Sequence, residues 1–259
     1  MIGQPRVLIV GSEGRMGTML IRRFSAAGAD VRALDGLHTQ PPDAASLRTL
    51  LADVHVIMLC VPVSALRTVL ATLVPHTPAG CIVADITSVK VTPMQVMETL
   101  WDGPVVGTHP LFGPTTSEDL RVTIVPGAGA SEADTALVEG LFRGGGCTTF
   151  RSTAEEHDKA MAAIQGLNFI SSLAYFATLA HRDDLRPFIT PSFVRRQESA
   201  KKLLTEDAPM FEAIFEANPY SHDLVRQYRY FLSIAAAGDT SLLVRRADWW
   251  WEGEDNTSK

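Results

Sequence analysis

Cysteine is scarce: three residues in 259, at Cys60, Cys81 and Cys147. Their number and scatter exclude a disulfide framework or a zinc site, and the first two lie in apolar strand-like runs, where they read as buried thiols. An excess of basic charge is also missing. Against 29 acidic residues there are 23 Lys and Arg, a net of −6, which offers no electrostatic footprint for nucleic acid or an anionic membrane surface. No run of about 18 consecutive apolar residues suggests a membrane span. The N-terminal MIGQPRVLIVG enters a short strand with no signal-peptide cleavage pattern. Together these absences predict a cytoplasmic chain with neither nucleic acid nor membrane as a partner.

What is present is globular composition, 46% hydrophobic and 20% charged, with length for one large domain or two modest ones. Two are expected. Up to about residue 150, short apolar runs (Arg6–Val10, Ala29–Leu34, Val54–Val61, Cys81–Asp85, Pro104–Gly107) alternate with segments of helical spacing (Met16–Ala27, Asp43–Leu51, Ser64–Leu73, Val91–Trp101). Several runs are apolar on consecutive residues, as in strands buried on both faces, so the pattern is a doubly wound α/β sheet. A further helix, Glu132–Arg143, is capped by Ser131, and a short strand at Thr148–Arg151 closes the sheet.

After Ser152 the texture changes. Thr153 and Glu156 form a capping-box signature before a long helix that Gly166 interrupts, and helices follow at about Ser192–Thr205, Pro209–Ala217 and His222–Ala237 with no strand signal between them. The expected division is therefore 1–152, a Rossmann domain, and 153–259, an all-helical domain whose apolar helix would form the interface of a homodimer. Trp249, Trp250 and Trp251 would pack on the partner subunit, since adjacent exposed indoles are an aggregation liability. The tail GEDNTSK reads as disordered.

VLIVGSEGRMG puts Gly11, Gly14 and Gly17 between the first strand and the first helix. There, small residues let the backbone approach a pyrophosphate whose charge the helix N-terminus stabilises. Ser12 occupies the first position of a strict GxGxxG, so the motif gains weight from its strand–helix context and from Asp35. That aspartate ends the second strand, where a carboxylate can bind the adenosine ribose and repel the 2′-phosphate of NADP. The cofactor expected is NAD, held by Gly11, Ser12, Glu13, Gly14, Arg15, Met16, Gly17 and Asp35, with Val61, Pro62 and Val63 beneath the adenine or bridging ribose and Thr87 nearby. The plain alternative is a tight turn and a surface aspartate.

ADITSVK and VVGTHPLFGP fall at the carboxyl edge of the sheet, where doubly wound folds bind ligands. His109, on a loop there, is placed to act as a general base, and Ser88 to hydrogen-bond the substrate hydroxyl and orient the imidazole. From spacing alone a structural histidine serves equally well.

In order and spacing GSEGRMG, DITSVK, GTHPLFGP and TAEEHDKAMAAIQGL closely resemble the prephenate dehydrogenase family of tyrosine biosynthesis, over roughly residues 6–215. The resemblance implies NAD-dependent oxidative decarboxylation of a cyclohexadienyl substrate, prephenate, to 4-hydroxyphenylpyruvate. His109 would be the base that accepts the hydroxyl proton, Ser88 its hydrogen-bonding partner, and no metal would be required.

The chain departs from this pattern on the substrate side. Relatives read IQALRHF where Ile164–Ile170 reads IQGLNFI, so Asn168 and Phe169 replace two basic side chains beside Gln165. A family arginine that receives a carboxylate aligns with Lys202, which keeps the charge but loses the bidentate fork. Arg195 and Arg196 either compensate or form a solvated face. Fewer cations would suit a less anionic substrate, 4-amino-4-deoxyprephenate. His157 and Asp158 read either as a functional pair or as residues that orient the helix start at the domain boundary. A non-catalytic NAD sensor would need neither Ser88 nor His109. A β-hydroxyacid dehydrogenase would need a catalytic lysine in the helical domain, and no convincing motif places one.

Overall fold

In the computed structural model, residues 4–37 and 42–252 are described; the tail GEDNTSK lies outside them. Contacts divide the chain into Met1–Met161 with Glu216–Asn218, and Ala162–Phe215 with Pro219–Lys259. The first unit thus runs past Ser152 to Met161, because His157, Asp158 and Met161 are buried in it.

That unit is a seven-stranded sheet between helices. Its elements are β1 (Arg6–Val10), α1 (Arg15–Ala26), β2 (Asp30–Leu34), α2 (Ala44–Leu51), β3 (Val56–Leu59), α3 (Val63–Leu73), β4 (Ile82–Asp85), α4 (Val91–Leu100), β5 (Val105–Pro110), β6 (Arg121–Pro126), α5 (Glu132–Gly144), β7 (Thr148–Arg151) and α6 (Ala154–Met161). The strand order is β2-β1-β3-β4-β5-β6-β7, all pairs parallel except β5 with β6. Chain order reverses between β1 and β3, which opens the crevice where such sheets bind ligands.

Consecutive apolar residues in β1 are explained by two cores. Leu8 and Val10 join Ile57, Leu59 and Val83 on the face covered by α2, α3 and α4, while Val7 and Ile9 join Met58 and Ala84 on the face covered by α1 and α5. Phe24 and Phe142 meet edge to face in the second core, at 5.2 Å between centroids. Burial of Cys81 pushes its thiol up to about 12, and all three cysteines are free, consistent with inert packing.

The strand β6 has no counterpart among the sequence expectations. Its six residues, RVTIVP, pair antiparallel with β5 from Val106↔Pro126 to Pro110↔Val122. A hairpin strand needs no crossover helix, so the alternation of helix and strand that exposes the other strands says nothing about it. The expected caps are present: Ser131 and Asp134 form a capping box on α5, and Thr153 and Glu156 exchange backbone amide bonds of 3.1 Å at the start of α6.

The second unit is helical: a π-type segment over Ala162–Leu167, then α7 (Asn168–Thr178), α8 (Pro191–Thr205), α9 (Ala208–Ala217), α10 (Ser221–Ala236) and α11 (Thr240–Ala247). The helical run Ala154–Thr178 reaches mean hydropathy 1.3 over an 18-residue window, long and apolar enough by composition to cross a membrane. Interspersed polar residues break any unbroken apolar stretch, so the run escapes a search for consecutive residues. Phe176 and Phe193 pack in this unit across α7 and α8, and Phe169 stacks on Phe211 of α9.

Candidate active site

The glycine loop leaves β1 at Gly11, whose φ of +85° belongs to the left-handed region. A Cβ on Gly11 would lie 2.5 Å from the Cys60 carbonyl oxygen, and one on Gly17 only 2.1 Å from that of Gly11. Both glycines are therefore required for α1 to pack against β1 and β3. Gly14 meets nothing closer than 3.2 Å; it is the N-cap of α1 and leaves the helix without a side-chain cap or an acidic residue in its first turn. A helix N-terminus without a side-chain cap suits an anion.

Asp35 binds this loop from the end of β2. One carboxylate oxygen accepts from the Glu13 amide and the other from the Gly36 amide, each at 2.7 Å. Gly11, Gly14, Asp35, Val61, Pro62 and Ala65 line a cavity of about 260 Å³ at the crevice between β1 and β3. Ser12, Glu13, Arg15 and Met16 belong to the same loop and helix start, and Val63 is the first residue of α3.

A buried polar cluster occupies the carboxyl ends of β4 and β5. His109 is 3% exposed and lies within β5 opposite Thr123, where the sequence put it on a loop; pairing with β6 extends the strand through Pro110. Its Nδ1 faces Nε2 of His157 at 2.9 Å, and Nδ1 of His157 faces Oδ1 of Asp158 at 2.8 Å. Ser88, expected as the partner of His109, is half-buried in the loop after β4; the imidazole's hydrogen bond goes to His157 instead. Among the described residues no other side-chain hydrogen bond reaches His109, which leaves Nε2 uncommitted. Burial holds the imidazole well below its ordinary pKa, and His157 and Lys90 push it in the same direction.

Lys90 and Asp85 form a wholly buried ion pair beneath this chain. Burial lowers the ammonium from its usual range, while Asp85 and Asp158 oppose that shift. Asp85 Oδ2 also accepts from the Thr87 amide at 2.9 Å and from the Thr87 hydroxyl, and Oδ1 has no partner among the described residues. The Thr87 side chain is thus used inside the loop, leaving its backbone as the surface it could show a cofactor. Gly107 lets β5 pass close by, since a Cβ there would meet Met94 Sδ at 2.6 Å.

The remaining expected residues lie in the helical unit. Gln165 is in the π-type segment, a backbone form that recurs at functional sites, and its Oε1 is buried without a partner among the described residues. Asn168 is exposed, whereas Phe169 is buried against Phe211 and acts as packing. Arg195 is exposed, Arg196 stacks 3.8 Å above the Tyr175 ring, and Lys202 lies 3.6 Å from Asp207. The sequence left His157 and Asp158 open, as a functional pair or as residues that orient the helix start, and the structure joins them to His109. Nothing in one-dimensional spacing connects them to His109, 48 residues earlier.

The fold and loop define a dinucleotide-binding protein of Rossmann type. The chain is similar to proteins of the prephenate dehydrogenase family. Residues 30–119 match the model described as prephenate dehydrogenase, nucleotide-binding domain. The T-protein of Enterobacter agglomerans is 30% identical over 227 residues, covering 86% of this chain and 59% of that protein. The T-protein of Haemophilus influenzae is 25% identical, with 81% and 55% covered. The chain thus spans little more than half the length of these relatives. A crystal structure of prephenate dehydrogenase from A. aeolicus, in complex with hydroxyphenyl propionate and NAD+, superposes with TM-score 0.79 at 17% identity over 99% of both chains, a likeness of fold.

The depressed pKa of His109 ties stability to pH. An unfolded chain protonates this histidine near pH 6.5, while the folded chain keeps it neutral, so stability falls as pH drops below that value. Thermal melts between pH 7.5 and 5.5 should show Tm declining, and His109→Gln should flatten the decline; equal slopes would show that His109 does not carry it.

Proposed function

We propose that the chain is an NAD-dependent dehydrogenase that oxidatively decarboxylates prephenate to 4-hydroxyphenylpyruvate, in aromatic amino acid biosynthesis. The observation that carries the reading is the neutral, buried His109 with a free Nε2 at the same sheet edge as the glycine loop.

The residues present fit the dinucleotide. Gly11 and Gly17 form a cradle that no Cβ could share, the uncapped start of α1 suits a pyrophosphate, and Asp35 borders the cavity where an adenosine ribose would lie. When bound, NAD supplies the hydride acceptor. His109 takes the proton from the substrate hydroxyl as the carbonyl develops, and Ser88 bears on the same hydroxyl. Loss of the ring carboxyl as carbon dioxide leaves an aromatic ring, which makes the step irreversible. A neutral imidazole is what a base requires, and its low proton affinity keeps it available below neutral pH.

Gln165, Asn168, Arg195, Arg196 and Lys202 would serve the substrate from the helical unit. A second reading rests on their chemistry: Phe169 is packed away, and the Arg196 and Lys202 cations already have partners in Tyr175 and Asp207. On this reading, a substrate side with fewer free cations would suit 4-amino-4-deoxyprephenate better than the dianionic prephenate. The helical unit would also hold a homodimer, as its exposed apolar side chains suggest: Phe188, Leu232, Val244, Trp249, Trp250 and Trp251.

Incubation with NAD and each substrate, following NADH and identifying the arylpyruvate, decides among these readings; a strong kcat/KM preference for prephenate would remove the amino analogue, and no turnover with either would remove both. In the active reaction His109→Asn should lower kcat roughly 10²- to 10⁴-fold with NAD affinity retained, and undiminished turnover would exclude it as the base. Asp35→Ala should weaken NAD and narrow the preference over NADP; unchanged binding of both would displace Asp35 from the ribose. Sedimentation should give twice the chain mass of 28.1 kDa, and Trp250→Glu should shift it toward the monomer. A wild-type monomer at micromolar concentration would remove the dimer.

A further inference from the structure

We propose that His157 and Asp158 are positioning residues that hold His109 in a single tautomer, with hydrogen on Nδ1 and the lone pair on Nε2. The inference rests on reading His109 as the base and assigns to two further side chains the setting of which nitrogen is basic.

The direction of the chain is set at its buried end. Asp158 is fully buried, and its two oxygens accept from the Lys90 amide at 2.6 Å and the Val91 amide at 2.8 Å. These amides open α4, so an aspartate on α6 caps a helix remote in sequence. Its backbone is fixed as well, because Asn218 Nδ2 donates to the Asp158 carbonyl at 2.8 Å. With Oδ1 already an acceptor toward Lys90 N, the ring nitrogen facing it must be a donor, which puts the hydrogen of His157 on Nδ1. With a single hydrogen, on Nδ1, His157 offers Nε2 only as an acceptor. His109 Nδ1, 2.9 Å away, must donate its hydrogen there. A neutral imidazole has one N–H, so Nε2 of His109 keeps its lone pair.

The opposite arrangement is penalised twice. With hydrogen on His157 Nε2, the bare Nδ1 would face an acceptor oxygen at 2.8 Å, and His109 would carry its hydrogen on Nε2, where a base needs a lone pair. The charged and titratable groups around His109 are His157 and Asp158 on α6 and Lys90 and Asp85 at the end of β4 and start of α4; β6 contributes Thr123, which does not titrate. Among the described residues only His157 touches the ring by a hydrogen bond, which makes it the contact that selects the tautomer. Its inter-ring angle of 72° and centroid distance of 5.1 Å fit an in-plane nitrogen contact rather than stacking. The charge that develops on His109 when it takes a proton is also shared along the chain, whose far end is anchored by the two amides on Asp158.

The test uses the full chain labelled with ¹⁵N-histidine, with His109 assigned through His109→Gln. Two-bond ¹H–¹⁵N spectra near pH 7.5 should show His109 as the Nδ1–H tautomer. In His157→Leu that signal should become Nε2–H or a mixture, and kcat for NADH formation should fall roughly 10²-fold with KM for NAD within about twofold. His157→Gln keeps an acceptor for His109 and a donor for Asp158, and should recover both the tautomer and most of the turnover. Should the leucine variant fail to fold, the wild-type spectrum and the glutamine variant still decide. Wild-type His109 with hydrogen on Nε2, or a folded His157→Leu with unchanged tautomer and kcat, would overturn the proposal. Absence of turnover by the wild type would instead refute the dehydrogenase reading, leaving the spectra to decide the tautomer.

Discussion

The polar end of the first unit depends on the carboxylate of Asp158. It satisfies the two amides that open α4, accepts from His157, and so joins α6 to the ends of β4 and β5. Buried amides at a helix start cost free energy when unpaired, on the order of 1–3 kcal/mol each, so this aspartate has a structural reason to be where it is. Its attachment to the histidine pair gives the same contact a chemical consequence. The Lys90–Asp85 pair below is of the same kind, a wholly buried ion pair that is stable only while both partners are present.

Around that centre the sheet divides the labour. The β1 end supplies backbone, two glycines whose missing side chains let α1 approach, while the β4 and β5 ends supply side chains with defined partners. In the proposed reaction, nucleotide binding through backbone and proton transfer through side chains would thus occupy separate strand ends of one sheet. A protein that only sensed a dinucleotide would have no use for a buried histidine with one nitrogen open.

Much of this was legible in the letters. Buried parallel strands announce themselves by consecutive apolar residues, as in RVLIV and VIML, and helix starts by capping residues, as at Ser131 and Thr153. The glycines and Asp35 were legible because each answers a local backbone demand. Strand β6 was not, because an antiparallel hairpin leaves no crossover signature, and its pairing moved His109 from an expected loop into a strand. Phe169 looked like a substrate contact because it replaced a family cation, yet its stack on Phe211 makes it packing.

By itself the sequence determined the Rossmann class, the glycine loop and the place of Asp35 at the end of β2, all of which follow from residues close in the chain or from a motif read in order. Only the tertiary structure decided who touches His109. Ser88 and His157 were both available in the sequence, and the choice fell to His157 because α6 packs where its imidazole reaches β5 and its neighbouring carboxylate caps α4. Hydrogen-bond partners 48 and 68 residues apart are fixed by the meeting of buried donors and acceptors, and no local pattern of residues records that meeting.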